Sequence, residues 1–337
     1  MAHSLFAVEN PLMDIIAHVD AGLLDRFGKR PGTMHLVERG EIDALRAAIG
    51  EFRTVPGGSA ANTARGVAWL AGADGREFVQ EVLGRAAAGA PIVPQPAFNG
   101  AIGRDPTGDE FATRMDEANV RTSLVRKHTP TGTSVILVTP DGERTMNTFL
   151  GACRDFGPDD LDAALLADSQ VLYLTGYLWD TDNQRAAAEK AAALAHANTR
   201  RVRVAFDLAD PFAVERSGER FRDWIPRNVD ILFGNRTELA LLTGGSCDDD
   251  CVREAAGSAP MIVMKTGADG CLVGWEGRVA AVPPAPARVV DTTGAGDAFA
   301  AGFLYGLMAG CDPVTAARLA NALAARIVGV EGCTYGV

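Results

Sequence analysis

Residues 288–310 read RVVDTTGAGDAFAAGFLYGLMAG, and the corner between the two halves of this stretch decides the fold. A short β-branched run ends at Val290, and an apolar segment at helical spacing opens after Asp297. Gly294, Ala295 and Gly296 lie between them. Glycines at a strand-to-helix corner let the backbone close on a ligand, because no Cβ intervenes. The first amides of the helix lack intrahelical partners and carry the positive end of its dipole, which makes a seat for a phosphate. Asp297 puts a carboxylate beside that seat. It reads either as an ordinary first-turn acid or as a base that takes a proton from a hydroxyl while the amides hold an arriving phosphoryl group.

Working outward, strands and helices alternate. Residues 4–8 (SLFAV) read as a buried strand, with Asn10 and Asp14 at its exit, either to hydrogen-bond a polyol or to cap a Pro turn. Residues 20–50 mix two helices around a Gly/Pro break. Gly57-Gly58 precedes a helix with Ser59 as N-cap, Asn62 in its first turn and a stop at Gly72. Residues 73–98 form a long insertion holding a short amphipathic turn and a Pro-rich exit. A strand-turn-helix over residues 100–115 follows, then strands at 120–127 and 133–138, a tight turn at Asp141-Gly142 and a returning strand with Arg144. From Val171 the order VLYLTGYL, helix 183–197, RVRVAFDLADP, DILFGN and MIVMKTGADGCLVGW implies a parallel sheet with ligand loops at the strand C-termini. The expected fold is one α/β domain with a doubly wound, mostly parallel central sheet flanked by helices.

DTTGAGDAFAAGF resembles the C-terminal signature of the ribokinase-like, or phosphofructokinase-B type, sugar and nucleoside kinases. The resemblance implies that Asp297 is the catalytic base and that the turn Gly294, Ala295, Gly296 is its anion hole. It also implies a small β-rich lid, here from about 14–50 and 120–150. NPLMD resembles the NPLLDI of adenosine kinases, which implies that Asp14 binds ribose hydroxyls with Asn10 nearby. VPGGSAAN resembles the family's N-terminal signature, so that Gly57, Gly58 and Asn62 would contact the sugar. Asn235-Arg236-Thr237-Glu238 resembles the N-x-x-E motif, whose Glu holds Mg2+ through water and whose Asn lies near the phosphates of ATP; the same residues also read as a capped helix start. Thr266, Gly267 and Gly270 resemble the ATP-phosphate turn. Asn321 aligns with a residue near the adenine, or is part of a polar helix face. Asp291 and Thr293 resemble a loop that holds K+. Arg144 would reach the transferred phosphate or stay a solvated strand residue. NTFLGAC, the helical lid piece and the ending EGCTYG lean toward adenosine kinase, and Tyr173, Tyr177 and Trp179 would stack a purine or belong to the core.

The bulk properties agree. The 337 residues carry a net charge of −11, which disfavours nucleic acid and anionic membranes as partners. No apolar run reaches the ~20 residues that span a bilayer, and no signal peptide is visible. Six scattered cysteines fit a reducing cytoplasm, with Cys247 and Cys251 read as two surface thiols rather than a metal pair. No G-x-x-x-x-G-K-[ST] is present, which excludes a P-loop kinase, and no G-x-G-x-x-G follows the first strand, which argues against a dinucleotide oxidoreductase. The expected activity is ATP-dependent phosphorylation of a ribose hydroxyl of adenosine or a related nucleoside. A sugar kinase of ribokinase or fructokinase type is the alternative. A non-enzymatic sensor would show a degraded GAGD or N-x-x-E. A monomer and a homodimer are both compatible with the sequence.

Overall fold

Strand β1 (His3–Val8) is buried along its whole length, and its side chains divide between two cores. Leu5 and Ala7 face one, Phe6 and Val8 the other. This is the alternation of a strand covered on both sides. The computed structural model describes residues 3–84, 93–245 and 250–336. After β1 the chain leaves for a second, smaller sheet through β2 (Leu12–His18), α1 (Ala21–Arg26), β3 (Met34–Leu36), α2 (Arg39–Ala48) and β4 (Arg53–Gly57). It returns through α3 (Ser59–Ala71), α4 (Ala73–Leu83), β5 (Ala97–Gly103), α5 (Pro106–Glu117) and β6 (Arg121–Lys127). Asp105 starts α5 by accepting from the Gly108 amide at 2.9 Å, with Pro106 in the first turn. The hairpin β7 (Gly132–Val138) and β8 (Arg144–Phe149) completes the small sheet. Gly142, at positive φ, makes its turn.

The second half alternates regularly. It runs α6 (Ala163–Ala167), β9 (Ser169–Thr175), α7 (Asp182–Ala197), β10 (Arg203–Asp207), α8 (Pro211–Asn228), β11 (Ile231–Asn235), α9 (Arg236–Thr243) and α10 (Asp250–Glu254). Strands β12 (Met261–Lys265), β13 (Cys271–Trp275) and β14 (Arg278–Val282) follow, then α11 (Ala295–Met308) and α12 (Pro313–Ile327). The large sheet has nine strands in the order β14-β13-β12-β11-β10-β9-β1-β5-β6. It is parallel from β12 to β6, with β13 and β14 antiparallel at one edge. Helices α3, α11 and α12 cover one face; α7 and α8 cover the other. The order reverses at β1, which lies between β9 and β5, so its C-terminal end opens at a switch point where such sheets bind ligands.

The small sheet runs β3-β8-β7-β2-β4. One face packs Ile15, Val135 and Leu137 against Leu24, Ile42 and Leu45 of α1 and α2. The other turns Ile136 and Met146 toward the cleft over the large sheet. Residues 120–127 were expected in this layer, but β6 pairs in parallel with β5 at the edge of the large sheet. The small sheet instead takes in β4, beyond residue 50. Residues 20–50 contribute a three-residue strand as well as two helices. Within 73–98, residues 73–83 form a full helix with Val79 in the core, and 97–98 already belong to β5. Residues 85–92 and Cys247 lie outside the described residues.

Candidate active site

A cleft of about 370 Å³ lies between the C-terminal ends of the large sheet and the small sheet above it. Its floor is the corner at residue 294. Gly294 caps α11 in the left-handed conformation, φ 74°, and a Cβ there would run into Cys333. Ala295 and Gly296 form the first turn; the Ala295 amide donates to the Thr292 carbonyl at 3.2 Å, and the Gly296 amide lies at the helix start. Asp297 follows, half-buried and lining the cleft. The Ser59 hydroxyl donates to its Oδ1 at 2.7 Å, and the Asn62 amide donates to its Oδ2 at 2.9 Å. Burial pushes the Asp297 carboxyl above the ordinary carboxylate range, against the Ser59 and Asn62 hydrogen bonds, and the Asp207 charge pushes the same way.

Strand pairing brings the other sugar-type residues to this point. Strands β2 and β4 run antiparallel with Leu12 opposite Gly57, so NPLMD and VPGG lie side by side. Gly58, not Ser59, is the N-cap of α3, at φ 92°. A side chain there would strike the Asn10 carbonyl, and one on Gly57 would strike the Asp14 carboxylate. Ser59, displaced into the helix, is thereby free to hold Asp297. Asn62, expected on the sugar, spends its amide nitrogen on Asp297 and its Oδ1 on Arg65 at 3.1 Å. Asn10 lines the cleft, with its Oδ1 accepting from Gln184. Asp14 also lines the cleft, and no described side chain hydrogen-bonds its carboxylate. Burial first, then the charge of Asp297, lifts its pKa to about 7. Glu9, which the sequence reading passed over, is buried beside it. It accepts from the Ala60 amide at 2.7 Å and from the Thr175 hydroxyl, and burial lifts its pKa to about 8.

Arg144 neither points into solvent nor stands free for a phosphate. It reaches from β8 across the cleft to pair with the buried Asp291 and to donate to the Thr293 hydroxyl. Asp291 also accepts from the Thr293 amide at 2.7 Å and from the Gly332 amide. The oxygens expected to hold K+ are therefore filled by a guanidinium and backbone amides, and this donor set does not fit a bare monovalent cation.

Farther along the sheet edge, Asn235 and Glu238 form the capped helix start that the sequence suggested. Asn235 Oδ1 accepts from the Glu238 amide at 2.9 Å, and Glu238 accepts from the Asn235 backbone at 2.8 Å and side chain at 2.6 Å. Glu238 is only 2% exposed, and burial lifts its pKa to about 7. A lone desolvated carboxylate of this kind suits outer-sphere contact with hydrated Mg2+, which keeps most of its waters. Among the described residues no cluster of three or more acidic, His or Cys side chains could hold an ion directly. The turn Thr266–Gly270 joins β12 to β13 next to this motif, with Gly267 and Gly270 at positive φ. Asn321 does not reach the cleft: its amide donates to the carbonyls of Val282 at 3.2 Å and Pro283 at 2.8 Å and pins the end of β14. Of the three aromatics, Tyr173 is buried against Asp207, and Trp179 packs among Phe206, Phe221 and Trp224. Only Tyr177 lines the cleft.

This fold, with a carboxylate at a helix-capped corner and a sheet lying over it, is that of an ATP-dependent kinase that phosphorylates a hydroxyl. The chain belongs to the pfkB family of carbohydrate kinases, whose profile matches residues 34–337. It is similar to the solved adenosine kinase of Sinorhizobium meliloti, at 32% identity and a TM-score of 0.87, covering 100% of this chain and 97% of that one. It is similar in the same degree to a probable sugar kinase protein from Rhizobium etli, at 32% identity, TM-score 0.85, and 98% and 94% coverage. The adenosine kinase of Schizosaccharomyces pombe is 25% identical over 99% of this chain and 96% of its own. The chain is thus an adenosine kinase-like sugar or nucleoside kinase. Among the described residues no helix is long and apolar enough to cross a membrane.

Proposed function

We propose that the protein transfers the γ-phosphoryl group of ATP to the ribose 5′-hydroxyl of adenosine or a related nucleoside, with Asp297 as the base. The observation that carries this reading is the two-sided cleft. Its floor offers Asp14 and Asp297, two carboxylates with room for a polyol. Its roof offers Met34, Leu36, Ile136 and Met146, apolar side chains suited to a flat base rather than to a second sugar. An aliphatic hydroxyl is far too weak an acid to lose its proton to Asp297 beforehand. The proton moves as the O–P bond forms, and the leaving oxygen departs on ADP. The raised pKa of Asp297 narrows the mismatch between base and alcohol. The helix amides at Gly294–Gly296 would take the charge of the phosphoryl oxygens. Glu238 would hold Mg2+ through water, with Asn235 near the phosphates, and the ion when bound would screen the triphosphate.

Arg144, tied to the phosphoryl seat, links the roof to the chemistry and makes closure part of the site. Cys153, Cys271 and Cys333 are thiols buried in the fold, which supports a reducing cytoplasm as the working compartment. A sugar kinase is the second reading, supported by the likeness to the Rhizobium etli protein. ADP release measured with adenosine, inosine, guanosine, ribose and fructose separates the two. Nucleosides are expected to be turned over at far lower concentrations than free sugars. Preferential turnover of ribose or fructose would overturn the nucleoside assignment.

A further inference from the structure

Lys265 lies where no motif put it. It ends β12 with its ammonium only slightly exposed, and it pairs with both oxygens of Asp207, at 3.0 and 2.8 Å. Asp207 is itself fixed by the Tyr173 hydroxyl at 3.3 Å and the Ala209 amide at 3.1 Å. Lys265 is the register partner of Asn235, so it stands beside the N-x-x-E corner. On its other side it overhangs the first turn of α11: a Cβ built on Gly296 would lie 3.4 Å from its Nζ. Its charge pulls the pKa of Glu238 and Asp297 down against the larger effect of burial, and the carboxylates of Asp207 and Glu238 outweigh burial to hold its own pKa up, so it stays charged. One cation thus bridges the magnesium-type carboxylate at one end and the base at the other.

We propose that Lys265 is a catalytic residue that grips the non-bridging oxygens of the γ-phosphoryl group during transfer, and that Asp207 is the positioning residue that aims it. The acceptor oxygen forms its bond to phosphorus, the bond from phosphorus to the β–γ bridging oxygen breaks, and the acceptor proton goes to Asp297. Lys265 gives up no proton; it donates hydrogen bonds to oxygens whose charge shifts toward ADP. A fixed ammonium at this place acts as a point charge on phosphate, a role to which Lys is suited. The inference rests on the reading of the Gly294–Asp297 corner as the phosphoryl seat.

The test uses the full chain and four variants: Lys265→Met, Lys265→Arg, the double variant Lys265→Met with Asp207→Asn, and Asp297→Asn. The double variant leaves no orphaned carboxylate and guards against misfolding. Its kcat is expected to fall by ~10²–10³-fold, the usual effect of losing one charge-stabilising donor, with the nucleoside KM within about threefold. Calorimetry should show Mg·ADP bound normally but a non-hydrolysable Mg·ATP analogue bound about tenfold or more weakly, since only the latter carries the gripped group. Lys265→Arg should recover part of kcat. A double variant with wild-type kcat, or one losing ADP and ATP-analogue affinity equally, would overturn the inference. If Asp297→Asn keeps wild-type turnover, the phosphoryl-seat reading itself is wrong; if only Asp297→Asn loses turnover, Lys265 alone is misassigned.

Discussion

At the residue scale the site is a balance between burial and hydrogen bonding on a few carboxylates. Asp297 is pushed up by desolvation and pulled down by Ser59 and Asn62. Ser59→Ala removes one of the bonds that favour the carboxylate, so the pKa of Asp297 should rise further. The base form is lost as pH falls through that pKa. The acid limb of the kcat profile should therefore move to higher pH than in the wild type. A limb that stays put, or moves down, would separate Ser59 from the base. Gly58→Ala combines an unfavourable φ with a clash against the Asn10 carbonyl. It should raise the nucleoside KM by tenfold or more, on the order of the 1–3 kcal/mol that such backbone strain costs, as steady-state kinetics would show.

At the element scale the decisive contact joins β8 to the loop before α11. The Arg144–Asp291 pair is nearly dry, so removing one partner strands a buried charge. Losing one partner of a buried pair costs about 3–5 kcal/mol. Arg144→Met should lower the melting temperature by several degrees, and adding Asp291→Asn should restore part of the loss. Because the guanidinium fills the expected cation loop, wild-type activity should not distinguish KCl from NaCl at equal ionic strength; marked stimulation by K+ would contradict that placement. Much of this was legible in the sequence. The GAGD corner, the N-x-x-E box and the strand ends of β1, β10, β11 and β12 are local patterns, and local geometry follows them. What could not be read is long-range. Residues 121–127 look like any amphipathic strand, and nothing in them says which sheet they join. The Asn62–Asp297 and Arg144–Asp291 contacts join residues far apart in the chain, as does Asn321 to Pro283. The one sequence signal for Lys265 was a lone cation between an apolar strand and a Gly turn.

At the scale of the molecule, two sheets enclose a pocket dense in acids, and the fold bears the cost. Glu9 has an ordinary value of 4.5 and rises to about 8 when buried; Asp14 rises to about 7. Between these values the folded state keeps protons that the unfolded chain has released, so stability falls as pH rises through this window. For Glu9 the window runs from about pH 4.5 to about pH 8. Glu9→Gln keeps an acceptor for the Ala60 amide and removes the ionisation. The variant should lose less melting temperature than wild type between pH 5 and pH 8.5 and be the more stable of the two at the alkaline end. Parallel melting curves would contradict the buried acid.

The central claim is that one carboxylate beside an amide-lined corner takes the acceptor's proton. The most direct measurement is single-turnover phosphorylation of adenosine by Asp297→Asn, alongside adenosine binding by calorimetry. Chemistry should slow by ~10²-fold or more, with adenosine bound as tightly as by the wild type. Wild-type chemistry in this variant would contradict it.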